Sequence, residues 1–354
     1  MGTCPCSAAI EADSDTMEEE TIVPVRLPTL HSDPRSHAAV TSTHPRKVII
    51  DCDPGIDDAA ALAMALFDPR LEVVAVTAVA GSVSAEQATT NLQSIVSFLD
   101  PPRLPRLGAA DDTGPAERPY ALNGPDGLGD ADIPRVQLHG AHHSEKVLWE
   151  TIKAHPREIT ILSLGPLTNV ARVFSRDPSI VELVGGLVIS GGTVHAMGNA
   201  SPVADFNFFC DPMSARHVLR EPVAKTLVPL ETTSHVLLGF DLLDKLPREF
   251  SRAGQLLRQI LPHAFRAHRQ ILGSEGIRLH DVVALVALTH PELFSRSSVS
   301  ADVETMGELT SGMLVIDRRQ TRPLRPHVDL LTSPDVVGIT ECILRGFETA
   351  ADAT

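Results

Sequence analysis

Residues 48–59 read Val-Ile-Ile-Asp-Cys-Asp-Pro-Gly-Ile-Asp-Asp-Ala, and this stretch decides the fold class of the chain. The apolar residues 48–50 predict a short buried strand, and Pro54 with Gly55 predicts a tight turn directly after it. A helix rich in Ala, Leu and Met is then predicted over residues 58–67, with Asp57 as its N-cap. This strand, turn and helix form the first half of a β-α-β unit.

The same alternation of strands and helices continues along the rest of the chain. Strands are predicted at 71–79, 158–164, 182–189, 225–230, 298–306, 313–318 and 327–331, and helices at 85–99, 166–174, 211–220, 247–271, 279–288 and 334–347. The helix over 247–271 is expected to break at Pro262, because proline lacks the N–H that a helix interior uses. This order predicts one α/β domain over residues 46–350, with a Rossmann-like core whose mixed, mainly parallel central sheet is flanked by helices.

The first 45 residues differ in composition from the rest of the chain. They mix Ser, Thr, Pro and acidic residues, and they show no apolar periodicity. Such a segment buries too little apolar surface to offset the entropy that ordering would cost. We therefore predict a disordered N-terminal extension over residues 1–45.

Charge and hydrophobicity limit the partners of this chain. Of its 354 residues, 43% are hydrophobic, which is enough for a sizeable core. Asp and Glu total 45 against 30 Lys and Arg, and the resulting net charge of -15 argues against nucleic acid as a partner. No apolar run reaches the roughly 18 residues of a membrane span. Five scattered cysteines and the lack of a secretory signal predict reduced thiols and a cytoplasmic protein.

Four carboxylates, those of Asp51, Asp53, Asp57 and Asp58, follow the first predicted strand. Carboxylates this close repel one another, and they stay ionised only beside a cation, hydrogen-bond donors or solvent. Hard oxygen ligands of this kind suit Ca²⁺ or Mg²⁺. A capped helix with exposed acidic residues would explain one or two of these aspartates, but not all four. Ligands of open parallel sheets bind beyond the carboxyl ends of the strands, which is where these aspartates are expected.

The stretch from Asp51 to Ala59 resembles the N-terminal signature of the inosine/uridine-preferring nucleoside hydrolase family. Further motifs of that family follow in its order. Residues 164–169 (Leu-Gly-Pro-Leu-Thr-Asn) resemble its central turn, and residues 191–207 resemble its ribose-binding loop. Residues 279–281 (Leu-His-Asp) resemble its late His-Asp pair. The resemblance extends over residues 47–347 and implies a nucleoside hydrolase-like catalytic domain.

This resemblance implies hydrolysis of the N-glycosidic bond of ribonucleosides to ribose and free base, in salvage or degradation, with one calcium ion as cofactor. The implied metal ligands are Asp51, Asp53, Asp58, the backbone carbonyl of Leu164, and Asp281. The implied catalytic residues are Asp53, as general base on the attacking water, and His280, which is similar to the histidine that assists or contacts the leaving base. The implied ribose-binding residues are Asp57, Ser82, Asn199, Asp205 and Asn207. Relatives commonly form dimers or tetramers, so a homo-oligomer is expected.

Four positions depart from the commonest residues of the family. Ser82 stands where Asn is usual, Asp205 where Glu is usual, Asn123 where His is usual and Ser190 where Met is usual. These changes leave the implied metal ligands intact and alter the surroundings of ribose and base. The preferred base is therefore left open, and a catalytically weak or inactive nucleoside-binding relative is an alternative.

A different enzyme class also places an Asp-x-Asp motif after an apolar strand. In haloacid dehalogenase-type phosphatases the first aspartate is a nucleophile and the ion is Mg²⁺. That motif usually continues with Thr or Val, whereas Pro54 and Gly55 follow here. Release of phosphate from a substrate would identify such an enzyme.

Overall fold

The computed structural model describes residues 45–111, 121–137, 140–248, 250–319 and 324–354. The predicted disordered extension over residues 1–45 lies outside this described part, apart from Pro45. The described chain forms a single α/β domain whose mixed, mostly parallel sheet is flanked by helices, so the predicted fold class is confirmed. The domain boundaries at 46 and 350 stay predictions, and the last helix continues to Asp352.

One large sheet organises the described chain. The strands are β1 (Arg46–Cys52), β2 (Leu71–Ala78), β3 (Arg106–Ala109), β4 (His142–His143), β5 (Thr160–Ser163), β6 (Gly186–Ser190), β7 (Lys225–Val228), β8 (Leu238–Gly239), β9 (Gly276–Ile277), β10 (Ser295–Val299), β11 (Ala301–Val303), β12 (Leu314–Ile316) and β13 (Val328–Thr332). The large sheet has the order β10-β13-β7-β6-β5-β1-β2-β3-β4. Only its edge strand β10 is antiparallel to its neighbour. Strands β8 and β9, and strands β11 and β12, form two small antiparallel pairs.

Helices follow most strands of the sheet. They are α1 (Ile56–Ala65), α2 (Ala85–Leu99), α3 (Ser144–Ala154), α4 (Thr168–Arg176), α5 (Phe206–Cys210), α6 (Pro212–Arg220), α7 (Leu230–Ser234), α8 (Leu242–Lys245), α9 (Arg252–Ala267), α10 (His280–Thr289) and α11 (Val336–Asp352). Short 3-10 turns lie at Ala121–Asn123, Pro178–Leu183 and Pro291–Leu293, and a π turn at His268–Leu272 extends α9. None of the helices in the described ranges has both the length and the apolar character that a membrane crossing requires.

The start of α1 differs from the sequence prediction. The helix begins at Ile56 and its N-cap residue is Gly55, so the predicted N-cap role of Asp57 is wrong. Asp58 Oδ2 accepts a hydrogen bond from the N–H of Gly55 at 3.0 Å, which closes the first turn from within the helix. The side chain of Asp57 points to a different helix instead.

The predicted break at Pro262 is also wrong. Helix α9 runs unbroken through this residue, and its apolar face, which includes Leu257 and Leu261, is fully buried. An interior proline costs about 3 kcal/mol, and burial of several large apolar side chains offsets that amount. The strand predicted over 298–306 is interrupted, because β10 pairs with β13 whereas β11 leaves the large sheet and pairs with β12.

Strand β1 shows how the large sheet is buried on both faces. Val48, Ile50 and Cys52 contact one apolar layer and Ile49 contacts the other, and all four side chains are fully buried. Helices α1, α2, α9, α10 and α11 cover the first layer, and α3, α4 and α6 cover the second. Burial on both faces is why residues 48–50 are continuously apolar and do not alternate with polar residues.

The parallel arrangement gathers several chain segments at one edge of the sheet. Strands β1, β2, β5, β6 and β7 are parallel neighbours, so their carboxyl ends meet there. Helix α10 packs against α1, which brings the late His-Asp pair to the first motif. The fold therefore assembles the sequence motifs at the edge where ligands of open α/β sheets bind.

Candidate active site

A cleft of about 570 Å³ opens at the carboxyl edge of the sheet. Asp51 does not line this cleft, and the other residues that the sequence predicts for the site do: Asp53, Asp57, Asp58, Ser82, Leu164, Asn199, Asp205, Asn207, His280 and Asp281. Asn123 and Ser190, two positions where the sequence departs from the family, also line it.

Asp51 is fully buried at the end of β1. Its Oδ1 accepts hydrogen bonds from Thr77 Oγ1 at 2.6 Å and from Asn169 Nδ2 at 2.8 Å. Its Oδ2 has no hydrogen-bond partner in the described chain. Burial raises the pKa of Asp51 to about 7, and the two donors lower it in part. One carboxylate oxygen of Asp51 is therefore held by two hydrogen bonds, and the other has no hydrogen-bond donor beside it.

Asp53 is held in place by the loop after β2. Its Oδ2 accepts a hydrogen bond from the N–H of Ser82 at 2.7 Å, and its backbone carbonyl accepts one from Ser82 Oγ at 2.8 Å. A Cβ added at Gly81 would lie 2.3 Å from Oδ2, and one added at Gly165 would lie 2.6 Å from Oδ1. Only glycine fits at these two positions. Burial and the nearby Asp58 raise the pKa of Asp53 well above its usual range.

The remaining aspartates join α1 to α10. Asp57 Oδ2 accepts a hydrogen bond from the N–H of Asp281 at 3.1 Å, in the first turn of α10. Burial raises the pKa of Asp57 to about 8 and that of Asp58 to about 6. Burial and the neighbouring carboxylates raise the pKa of Asp281 well above its usual range. Asp57 Oδ1 and Asp58 Oδ1 have no hydrogen-bond partner among the described residues.

These carboxylates need a positive charge to be ionised together at neutral pH. The described residues that line the cleft include no Lys or Arg. No three His, Cys, Asp or Glu side chains of the described ranges converge as a complete metal-binding cluster, so a cation would also need backbone, water or substrate oxygens. Leu164 lines the cleft, and its backbone carbonyl accepts one hydrogen bond, from Asn207 Nδ2 at 2.6 Å, which leaves a second lone pair. Asp51 Oδ2 and Asp58 Oδ1, which have no hydrogen-bond partner among the described residues, and the carbonyl of Leu164 are hard oxygen donors of the kind that Ca²⁺ takes.

Asn199, Asp205 and Asn207 follow β6 in the chain. Most of their side-chain polar atoms form hydrogen bonds with backbone groups. Asn199 Oδ1 accepts the N–H of Phe206 at 2.8 Å. Asp205 caps α5, accepting the N–H of Asn207, and its other oxygen accepts the N–H of Gly192 at 2.6 Å. Burial raises the pKa of Asp205 to about 6. No hydrogen bond of the described chain engages the side-chain N–H groups of Asn199, which remain for a ligand.

Asn207 is tied to two strand ends. Besides Leu164, its Nδ2 donates to the carbonyl of Ser190 at 3.0 Å. Ser190 Oγ in turn donates to Asp281 Oδ1 at 3.3 Å. These contacts fix the relative positions of the carbonyl and of the late aspartate. The Oδ1 of Asn207 takes part in no hydrogen bond of the described ranges, so it is the atom left for a ligand.

His280 lies in the cleft at the start of α10. Its Nδ1 is 2.7 Å from Thr233 Oγ1, a contact that the sequence did not predict. Burial, with His268 and Arg278 nearby, lowers the pKa of His280 to about 4. The imidazole is therefore neutral over the physiological pH range.

Sequence reasoning missed three polar side chains that hold the site. Thr77 and Asn169 fix Asp51, and Thr233 fixes His280. Asn169 belongs to the Leu-Gly-Pro-Leu-Thr-Asn motif, which indicated a role in the site. The sequence could not show that its side chain binds Asp51. Thr233 lies in a stretch without a recognised motif, and only the packing of α7 against α10 reveals it.

Comparison with known proteins identifies the family of this chain. Residues 48–341 match the family model for inosine-uridine preferring nucleoside hydrolase. The non-specific ribonucleoside hydrolase RihC of Salmonella agona (strain SL483) is 34% identical over 312 residues, which cover 86% of this chain and 98% of that protein. The inosine-uridine preferring nucleoside hydrolase of Leishmania major is 34% identical over 287 residues, covering 79% and 90%.

Solved structures show the same likeness. The plant nucleoside hydrolase PpNRh1 matches with a TM-score of 0.79 at 28% identity, covering 86% of this chain and 99% of that one. An inosine-guanosine nucleoside hydrolase matches with a TM-score of 0.76 at 26% identity, covering 87% and 98%. The resemblance drawn from the sequence motifs is confirmed. The chain belongs to the inosine-uridine preferring nucleoside hydrolase family and is an N-glycosyl hydrolase.

Proposed function

We propose that this chain hydrolyses ribonucleosides, with purine or pyrimidine bases, to ribose and free base in a calcium-dependent reaction. The observation that carries the proposal is the group of buried aspartates in a cleft whose described lining contains no Lys or Arg. The names of the Salmonella and Leishmania relatives, both ribonucleoside or nucleoside hydrolases, support this substrate class.

Asp51, Asp53, Asp58, Asp281 and the Leu164 carbonyl would hold the calcium ion. When bound, the ion would keep the carboxylates ionised and help to orient water and the ribose hydroxyls. Oxygen donors alone, without thiolate or imidazole, are the set that Ca²⁺ prefers. Cys52 is adjacent in sequence, but its thiol is fully buried in the apolar layer and does not line the cleft.

Asp53 is the general base in this proposal. The N–H of Ser82 fixes one oxygen of its carboxylate, and the other is left to accept a proton from water. As that proton moves to Asp53, the water oxygen bonds to C1′ of the ribose, the bond from C1′ to the base breaks, and the base leaves with the electron pair. General base catalysis of this kind contributes about 10²- to 10⁴-fold.

The residues that would bind the ribose are Asp57, Ser82, Asn199, Asp205 and Asn207. The uncompensated Oδ1 of Asp57 and the side-chain N–H groups of Asn199 can each pair with a hydroxyl. The Oδ1 of Asn207 is an acceptor on the same wall, and Ser82 Oγ can still accept a hydrogen bond while it donates to Asp53. These oxygens would also stabilise the positive charge that grows on the ribose as the glycosidic bond breaks.

Product analysis on a panel of nucleosides tests this function. Uridine, inosine, adenosine and cytidine would be incubated with purified protein in phosphate-free buffer, and base and ribose would be quantified by chromatography. The proposal expects equal amounts of base and ribose, and a loss of at least about 10²-fold in Asp53→Asn. Binding of nucleosides without turnover would instead identify the inactive nucleoside-binding relative, and release of phosphate from phosphorylated substrates would identify a phosphatase.

We further propose a cytoplasmic homo-oligomer, dimer or tetramer, that acts in nucleoside salvage or degradation and does not bind nucleic acid. The acidic balance of 45 Asp and Glu against 30 Lys and Arg supports the last point. Sedimentation equilibrium would give the subunit number, and a purely monomeric protein would contradict the oligomer.

A further inference from the structure

Residues 193–197 join the turn after β6 to Asn199, and backbone pairing does not hold them in place. Within the described chain, none of their N–H groups donates to a backbone carbonyl. Their side chains add little, because His195 and Met197 are exposed and Val194 packs only partly against an apolar layer. A segment with so few contacts needs another anchor to keep one conformation.

Glu231 is that anchor, and it stands on α7. Its Oε1 accepts the N–H groups of Val194 and His195, each at 2.9 Å, and its Oε2 also accepts from Val194 at 3.1 Å. Hydrogen bonds to an ionised carboxylate are about twice as strong as those between neutral groups. Consecutive N–H groups that converge on one anion also form a recurrent anion-binding arrangement of the backbone. The carboxylate of Glu231 thus replaces the backbone pairing that this segment lacks.

Helix α7 is a fixed support for this contact. The hydroxyl of the buried Thr232 donates to the carbonyl of Leu331 on β13 at 2.9 Å, which ties α7 to the large sheet. Glu231 itself does not line the cleft, so it can act on a substrate only through the residues that it holds. Asn199, which does line the cleft, follows His195 by four positions.

We infer that Glu231 is a positioning residue for the sugar. By fixing residues 193–197 it keeps Asn199 where its side-chain N–H groups reach a ribose hydroxyl. The identification of the ligand as ribose rests on the proposed function. Without the carboxylate the segment samples several conformations, and apparent affinity falls in proportion to the fraction that is competent to bind. A competent fraction of about one tenth would weaken ribose binding about 10-fold.

Amide hydrogen exchange tests the anchor without any ligand. We expect the N–H groups of Val194 and His195 to be protected in the wild type and to exchange at least about 10-fold faster in Glu231→Ala, as a lost hydrogen bond to a charged group requires. Glu231→Gln keeps one oxygen acceptor and should recover most of the protection. Unprotected N–H groups at these two positions in the wild type would overturn the inference.

Glu304→Ala is the matched control. Glu304 is half-buried like Glu231, and its Oε1 accepts two backbone N–H groups, those of Met306 at 2.7 Å and Gly307 at 3.1 Å. None of these three residues lines the cleft. Glu304→Ala should therefore free a different segment and leave both the protection of residues 194–195 and the binding of ribose unchanged.

Binding of D-ribose, measured by calorimetry with calcium present, tests the effect on the sugar. Ribose is not consumed, so the measurement does not depend on turnover. We expect Kd to rise about 10-fold in Glu231→Ala, to return most of the way in Glu231→Gln and to stay unchanged in Glu304→Ala. Glu231→Ala combined with Asn199→Ala should bind ribose no more weakly than Asn199→Ala alone, because one residue acts through the other.

The outcomes separate this inference from the proposed function. Additive losses in the double variant, an equal loss in Glu304→Ala, or a wild type that binds no ribose would overturn the inference, even in a protein that releases base. The expected pattern in a protein that releases no base from any nucleoside would leave the inference standing and sink the proposed function.

Discussion

The carboxylate of Asp57 accepts the backbone N–H of Asp281 at 3.1 Å, so a side chain of α1 caps the first turn of α10. Helix α10 has no capping side chain of its own, because its N-cap residue is Leu279. The contact spans 224 positions of sequence. It sets the distance between the first motif and the His280-Asp281 pair, and it makes one aspartate serve both the fold and the cleft.

Replacing this cap should lower stability and activity together. We expect Asp57→Ala to reduce the free energy of unfolding by about 1–2 kcal/mol, the usual cost of a lost N-cap. The same variant should also reduce base release strongly, because Asp281 loses its fixed position. Urea denaturation and steady-state kinetics would measure the two effects.

The control for that variant is Asp335→Ala. Asp335 caps α11 through the N–H of Gly338 at 3.1 Å and does not line the cleft. It should lose similar stability while keeping its kcat/KM. A full retention of activity in Asp57→Ala would contradict the double role of Asp57.

The tight fit of glycine around Asp53 predicts a position-specific loss of activity. In Gly81→Ala the new Cβ would lie 2.3 Å from Asp53 Oδ2, so the carboxylate must move. A shift of about 1 Å at a reacting group costs about 10²-fold in rate. Gly186→Ala is the matched control, because its Cβ would meet its nearest atom, the carbonyl of Ala224, at an ordinary 3.6 Å. Equal activity of the two variants would show that Asp53 does not depend on this geometry.

Calcium binding should release protons. Burial raises the pKa of Asp51 to about 7 and of Asp57 to about 8, so both bind protons near neutrality until a cation compensates their charge. Titration of calcium into chelator-treated protein at pH 7, in two buffers of different ionisation enthalpy, should give apparent enthalpies that differ. The difference should shrink in Asp51→Asn and stay unchanged in Asp335→Asn. Identical enthalpies in both buffers would contradict this coupling.

His280 should not shape the pH dependence of the rate near neutrality. Burial lowers its pKa to about 4, so the ring stays mostly neutral as pH falls from 8 to 5. We therefore expect His280→Gln to lower kcat/KM and to keep the shape of its pH profile between pH 5 and 8. Disappearance of a limb of the profile within that window would mean that His280 acts as a proton donor.

Features of the fold that depend on short stretches of sequence, such as single strands, turns and helices, are predictable from the sequence. The apolar run at residues 48–50, the turn at Pro54 and the repeated strand-helix order give the sheet and its ligand-binding edge. Motifs at Asp53, Leu164, Asn199 and His280 lie in four distant segments, and they meet because parallel strands end at one edge.

Other features depend on partners that are remote in sequence. Asp57 reads as a cap of its own helix, because nothing local indicates that α10 will pack against α1. Pro262 reads as a break, because the burial of the α9 face that offsets its cost is a property of the packed core. Asn199 and Asp205 read as direct ribose contacts, whereas the structure also commits them to the N–H groups of Phe206 and Gly192.

The aspartate cluster is proposed to release base only when calcium is bound. The most direct measurement is the rate of base release from a nucleoside substrate by the purified protein, before chelation, after chelation and after calcium is added back. We predict that release stops with the chelator and returns with calcium in the wild type, and that Asp53→Asn remains inactive in all three conditions. Release that continues unchanged in the chelated wild type, or in Asp53→Asn, would show that neither calcium nor Asp53 is needed for cleavage.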